Sequence, residues 1–148
     1  VKIKIAWIGK TKEPAIVSLT DEYLMRLSRY AQVEGVTVRD EADLLAKFGR
    51  VAKTATKSTL VLMDSRGKEF SSEQFAKFLG DYQDRNPLPL VFAIGGADGF
   101  SAETKSAAAT VISLGKMTIA HELARVVLLE QVYRAFTILK GHPYHSGH

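Results

Sequence analysis

Apolar residues along this chain fall into short blocks whose spacing switches between strand-like alternation and helical recurrence. Residues 2–9, KIKIAWIG, alternate Lys with apolar residues and then run continuously apolar, which predicts an entering strand. Pro14 suits a first helical turn, and Ile16, Leu19, Tyr23, Leu24, Leu27 and Tyr30 follow at helical spacing, predicting a core-facing helix. Val33, Val36 and Val38 predict a second short strand over 33–40. A second helix is expected around Leu44, Leu45, Phe48, Val51, Ala52 and Ala55. STLVLMD, residues 58–64, reads as a central strand covered on both faces, with SRGK behind it as a turn. Ser71 with Gln74 predicts a capping box for a helix through Phe75, Phe78, Leu79 and Tyr82, which Pro87 and Pro89 close off. LVFAI, residues 90–94, is the next buried strand; Ser101 caps a short helix, and VISL, residues 111–114, is the last strand.

Strands alternating with helices at this rhythm predict an α/β domain with a mostly parallel sheet. No linker, repeat or low-complexity run interrupts the pattern, so one domain over residues 1–148 is expected. Ligands in such sheets sit beyond the carboxyl ends of the strands, where residues 64–68, 95–100 and 115–120 form loops. The helix expected over 120–140 is unusual. Leu123, Val126, Val127, Leu128, Leu129, Val132, Tyr133, Phe136, Ile138 and Leu139 cover far more than one stripe of it. One sheet face cannot easily cover such a helix, which predicts self-association through it. Glu130 and Arg134 on the same helix form a favourable i,i+4 pair that need do no more than stabilise it.

Composition narrows the chemistry. With 46% hydrophobic and 24% charged residues the chain has the balance of a globular fold, and disorder is excluded. The absence of cysteine rules out disulfide frameworks, thiolate zinc sites and a Cys nucleophile. No apolar run approaches a membrane span and no secretory pattern opens the chain, so a cytoplasmic setting without membrane contact is the default expectation. The net charge of +4 favours contact with a polyanion without requiring it.

GGADG, residues 95–99, follows a buried strand directly, and positions without side chains let a ligand approach the backbone. It is neither the dinucleotide G-x-G-x-x-G nor a P-loop, and an ordinary strand-to-helix turn explains it equally well. His121 and Glu122 match half of a zinc-protease H-E-x-x-H, but Arg125 stands where the second His belongs, so that reading fails. A cap or packing role at the helix start suits His121 better. The tail GHPYHSGH spaces His142, His145 and His148 three apart. No carboxylate or Cys completes a metal set, so none is expected, and Tyr144 and His145 suit stacking on, or hydrogen bonding to, a nucleobase.

FAIGGADGFS, SLGKMTIAHELARVVLLEQVYRAFTILKGHPYH and the opening strand together resemble the RlmH family. These SPOUT-class methyltransferases methylate N3 of a pseudouridine in large-subunit ribosomal RNA, using S-adenosylmethionine. The resemblance spans the chain and is densest over residues 90–145. It implies an α/β fold of SPOUT type, with helices flanking the sheet and a carboxy-terminal trefoil knot, and a homodimer joined through the knot helices. It also implies a cofactor held by Leu62, Met63, Ile94, Gly95, Gly96, Gly99, Ser113, Leu114, Gly115, Lys116, Met117 and Ile119. With that chemistry His145 is expected to serve as base or as hydrogen-bonding orienter and Tyr144 to position the target base, with no metal needed. His142 and Arg125 are candidate RNA contacts. Two positions depart from the family pattern: Ala120 stands where Pro is common, and Ser146 where a basic residue is common. Rival readings are a non-catalytic RNA- or ribosome-binding module on this scaffold and a knotted transfer-RNA methyltransferase.

Overall fold

The computed structural model describes residues 2–49 and 57–145. Strand β1 (Lys2–Ile8) leads through helix α1 (Pro14–Leu27) to β2 (Gln32–Val38) and α2 (Glu41–Phe48). Then come β3 (Thr59–Glu69), α3 (Ser72–Arg85), β4 (Leu90–Ile94), α4 (Ala102–Ser106), β5 (Thr110–Ser113) and α5 (His121–Leu139). The strands lie in the order β2-β1-β4-β3-β5, and every pairing between them is parallel. Val51, Ala52 and Ala55 of the expected second helix, together with Ser146 and His148, lie outside the described residues.

Local chemistry sets the helix boundaries where the sequence placed them. Pro14 occupies the first turn of α1, and the Glu13 carboxylate accepts from the Ala15 N–H. At α3 the capping box is complete: the Gln74 N–H donates to Ser71 Oγ at 3.1 Å, and the Ser71 N–H donates to Gln74 Oε1 at 2.8 Å. Alternate strand residues then sort into two cores. Ile3, Ile5, Val61, Phe92, Ile94 and Ile112 face α1, α3 and α5, whereas Ala6, Leu60, Leu62, Val91 and Ala93 face Leu44 and Phe48 of α2 and Phe100.

In three places the structure differs from the pattern. SRGK is not a turn. β3 continues through it to Glu69, with a register shift between Met63 and Lys68, and its second half pairs Lys68 and Glu69 with Ile112 and Ser113 of β5. Gly67 makes this possible, because a Cβ there would lie 2.7 Å from the Val111 carbonyl carbon and oxygen. On α1, Leu19 is 43% exposed, and burial is carried by Ile16, Thr20 and Leu27.

The third difference concerns α5. Its apolar breadth is absorbed within the chain, since the sheet lies beneath it and α1 and α3 flank it. Val126, Leu128, Leu129, Val132 and Phe136 are all buried, each contributing roughly 1.5–3 kcal/mol. The middle helix of a three-helix layer must be apolar on most sides, so this pattern alone does not call for a second copy. Leu123 at 47% exposure and Leu139 at 39% are what remain uncovered. Among the described residues no helix is long and apolar enough to cross a membrane.

Gly67→Ala should force β3 and β5 apart. We expect a loss of about 1–3 kcal/mol in urea unfolding. Gly96→Ala, where nothing lies within 4 Å of the added methyl, should leave stability close to the parent's.

Candidate functional site

The irregular middle of β3, residues 63–66, and the loops after β4 and β5 enclose a cavity of about 300 Å³, at the small end of the range for small-molecule sites. Met63, Ile94, Leu114 and Ile119 supply apolar walls, and the backbone of residues 95–99 supplies polar atoms. The glycines have separate reasons to be there. Gly99 holds φ at 72° and donates its N–H to the Gly96 carbonyl at 3.1 Å, folding the loop back on itself. A Cβ on Gly95 would stand 3.1 Å from the Gly99 carbonyl, whereas one on Gly96 would meet nothing within 4 Å. The Gly96 face of the loop is therefore open for a ligand to lie against backbone.

Hydrogen bonds fix the second loop from within. Ser113 Oγ accepts the Gly115 N–H at 2.9 Å and lies 3.3 Å from the Ser65 carbonyl, tying the loop after β5 to the extension of β3. Gly115 takes φ of 137°. Ser113 is thus a builder of the loop and does not line the cavity. Leu62 points into the core on the opposite sheet face, so its side chain is out of reach, and Lys116 sits on the exposed surface of the loop. Of the expected cofactor residues, Met63, Ile94, Gly95, Gly96, Gly99, Leu114, Gly115, Met117 and Ile119 meet around the cavity.

The sequence reading missed Asp64, which lines this cavity. Its Oδ1 accepts the Arg66 N–H at 2.9 Å, and its Oδ2 lies 3.3 Å from the Lys105 ammonium on α4. Burial works to raise its pKa, but the Arg66 N–H and Lys105 prevail and hold the carboxyl below its ordinary value. On its other side α4 is held by α2, where Glu41 Oε1 accepts from the Ser101 N–H at 3.0 Å and the Ser101 hydroxyl at 2.9 Å. The glycine loop is therefore braced at its far end by two carboxylates. Neither contact follows from local spacing, since the partners are distant in sequence.

At the start of α5 no side chain caps the helix at Ala120, and His121 and Ala124 line the cavity. Glu122 reaches back to the loop after β1, accepting the Lys12 N–H at 3.0 Å and the Glu13 N–H at 3.2 Å, and these bonds, the Glu13 one foremost, lower its pKa. Arg125 was expected to touch RNA, and the structure corrects that. Its side chain is fully buried, donating to Thr11 Oγ1 at 2.6 Å, to the Ile8 carbonyl at 3.0 Å and to the Gly9 carbonyl at 3.3 Å, with the Trp7 ring 5.4 Å from the guanidinium. A guanidinium sealed inside the protein, with Nε buried and unpaired among the described residues and its other two nitrogens bonded to internal oxygens, is out of reach of a phosphate.

The tail lies elsewhere. His142 is exposed, with Nδ1 2.7 Å from the Tyr30 hydroxyl. Tyr144 sets its ring edge against Tyr133 with centroids 4.9 Å apart and donates to Glu130 Oε2 at 3.3 Å. His145 places Nε2 2.6 Å from Glu73 Oε1 and Nδ1 2.9 Å from Arg134. Ala124 lines the cavity and Arg134 holds the tail; ten residues of helix at 1.5 Å each separate them by about 15 Å. Within one chain, tail and cavity are not brought together. Among the described residues no group of three or more His, Cys, Asp or Glu is placed to hold a metal ion.

Residues 1–145 match the family model described as Predicted SPOUT methyltransferase. The chain belongs to the SPOUT methyltransferase family. A relative from Koribacter versatilis, named Ribosomal RNA large subunit methyltransferase H, is 55% identical over the full length of both chains. One of the same name from Geobacter sp. (strain M21) is 42% identical, covering 98% of this chain and 99% of that one. Solved structures share the SPOUT-type fold at low identity. A probable methylase family protein from Haemophilus influenzae Rd KW20 aligns at TM-score 0.59 and 12% identity, over 96% of this chain and 69% of that one. The SpoU methyltransferase AviRb from Streptomyces viridochromogenes, solved with the cofactor AdoMet, aligns at TM-score 0.53 and 12% identity, over 90% of this chain. This SPOUT chain spans only 57% of that AviRb chain.

Two measurements check the placement of Arg125 and Tyr144. Arg125→Met strands internal carbonyls, so chemical denaturation should show a loss of about 1–3 kcal/mol, with the salt dependence of RNA affinity unchanged; a phosphate contact would give the reverse. Burial, foremost, and Glu130 push the Tyr144 phenol up to about 12. Its contribution to stability should be full below about pH 10 and fall as pH rises towards 12, where the neutral form is lost. Ultraviolet titration should show one phenol ionising near pH 12 that disappears in Tyr144→Phe.

Proposed function

We propose that this chain is an S-adenosylmethionine-dependent methyltransferase that methylates N3 of a pseudouridine in large-subunit ribosomal RNA. The observation that carries the reading is the cavity formed by the middle of β3 and the loops after β4 and β5, in a chain of this family and so near in sequence to relatives named for ribosomal RNA methylation.

The residues present fit the cofactor. The open Gly96 face offers backbone polar atoms to a flat or extended ligand, and Met63, Ile94, Leu114 and Ile119 can enclose an aromatic ring. Met117, Gly95, Gly99 and Gly115 complete the walls. Bound there, the cofactor supplies a methyl group on a sulfonium centre, an electrophile that needs no metal. What this chain contributes is the orientation of the nucleophilic nitrogen and the exclusion of water around it. Of the two roles open to His145, its engaged ring nitrogens favour orientation, with Tyr144 and His145 as the fixed points of a tail that positions the target base. His142, exposed beside Tyr30, is a candidate contact for the RNA.

A homodimer is part of the proposal. The tail lies about 15 Å along α5 from the cavity of its own chain, a gap that a second copy can bridge by lending its tail. Met117 at 84% exposure and Leu123 at 47% offer apolar surface beside the cavity for such a partner to cover. The extension of β3 along β5, with Gly67 close against the Val111 backbone and Ser113 Oγ bonded to the Ser65 carbonyl, supports the expected trefoil knot.

Calorimetry with S-adenosylmethionine and mass-spectrometric mapping of the methylated nucleotide test this reading. The parent should bind the cofactor, and Gly96→Val should weaken binding about tenfold or more by filling the open face, with an unchanged circular dichroism spectrum. A parent that binds ribosomal RNA but not the cofactor would make it a binding module. Methylation found on transfer RNA would move the substrate.

A further inference from the structure

We propose that His145 is a latch for the carboxy-terminal tail, not the acceptor of the substrate proton, and that Glu73 and Arg134 are the positioning residues that hold it. The inference rests on the reading that the tail serves methyl transfer, and it deepens that reading by assigning each ring nitrogen a task.

Both nitrogens of His145 are occupied, at 2.9 Å by Arg134 and at 2.6 Å by Glu73. A guanidinium carries N–H donors and no acceptor, so Nδ1 must present its lone pair to Arg134. The single ring proton then sits on Nε2 and is donated to the Glu73 carboxylate. Latched in this way, the His145 ring holds one tautomer, with no lone pair directed at solvent or ligand. A general base needs a lone pair within hydrogen-bond reach of the proton it removes. This imidazole has none to give.

The surroundings hold the latch in place. Arg134 is fixed on α5 by Glu130, with Nε 3.2 Å from both carboxylate oxygens and a second guanidinium nitrogen at 3.1 Å. It also lies over the Tyr144 ring, 4.9 Å from the centroid. Glu130 accepts the Tyr144 hydroxyl as well, so one ion pair grips two consecutive tail residues. On the other side Glu73 stands in the first turn of α3, where the helix dipole favours its negative charge. Tyr23 of α1 and Tyr133 of α5 close the remaining sides around Tyr144. The i,i+4 pair that the sequence offered only as helix support is the plate on which the tail is fastened.

Two experiments on the full chain test this. In the first, long-range nitrogen–proton NMR of protein carrying nitrogen-15 histidine should show one ring, absent in His145→Gln, with a protonated Nε2 and an unprotonated Nδ1. Arg134→Ala should abolish that single-tautomer pattern, while Glu73→Gln, whose amide oxygen still accepts, should keep it. A His145 ring protonated on Nδ1, or averaging between tautomers in the parent, overturns the latch. The second compares methylation rates at saturating cofactor. A side-chain amide can donate to Glu73 and accept from Arg134 but cannot take a proton. His145→Gln should therefore stay within about fivefold of the parent, the scale of one weakened hydrogen bond, whereas loss of a base costs about 100-fold or more. His145→Gln falling as far as His145→Ala, with cofactor binding and melting temperature unchanged in both, overturns it. If the parent methylates nothing, the function proposed above fails, and the nitrogen spectrum still decides whether the latch exists.

Discussion

The amino end of α5 is pinned to the loop after β1, and the placement of the cavity depends on that attachment. Arg125 is sealed among the Ile8 and Gly9 carbonyls, Thr11 and the Trp7 ring, while Glu122 takes two N–H groups from the same loop. A helix that starts at Ala120 without a side-chain cap needs some other anchor, and these two residues provide it. Because His121 and Ala124 border the cavity, any drift of this end would move the wall formed by the loop after β5. A buried guanidinium is expensive to desolvate, and its retention makes sense where a unique position matters more than stability.

The opposite wall is held by a different principle. The glycine loop has almost no side chains with which to hold itself, so the stiffness comes from its flanks. Asp64 grips α4 through Lys105, and Glu41 grips the same helix through Ser101. Backbone can thus be bare where a ligand would lie and still have little freedom. The rest of the wall comes from β3, whose extension runs along β5 and is tied to the loop after it through Ser65 and Ser113.

The parts of this architecture set by neighbours in sequence could be read from it. Strand alternation, the capping box at Ser71 and Gln74, the proline stop after α3 and the loops after β4 and β5 all rest on interactions within a few residues. The parts that escaped are joined across the chain. SRGK looks like a turn because Ser, Arg, Gly and Lys favour one, yet β5 supplies a pairing edge some forty residues later. Arg125 looked available because arginine is usually exposed, and only the fold shows the carbonyls that enclose it. The breadth of apolar residues on α5 was correctly seen, but α1 and α3 were not counted among its cover. The tail residues were chosen for their chemistry, whereas their seat depends on Glu73, which no spacing rule connects to residue 145.

An entirely parallel sheet also has a consequence during synthesis. Ile3 pairs with Leu90, and Val61 with Thr110, so no two strands can zip together as a hairpin while the chain emerges. The face of the sheet that carries Ile3, Ile5 and Phe92 keeps part of its apolar surface open until Leu128, Leu129 and Val132 arrive on the last helix. Such a chain is expected to fold slowly, with most of its contacts made late. The helix that completes the cavity is therefore also the one that ends the nascent protein's exposure to aggregation.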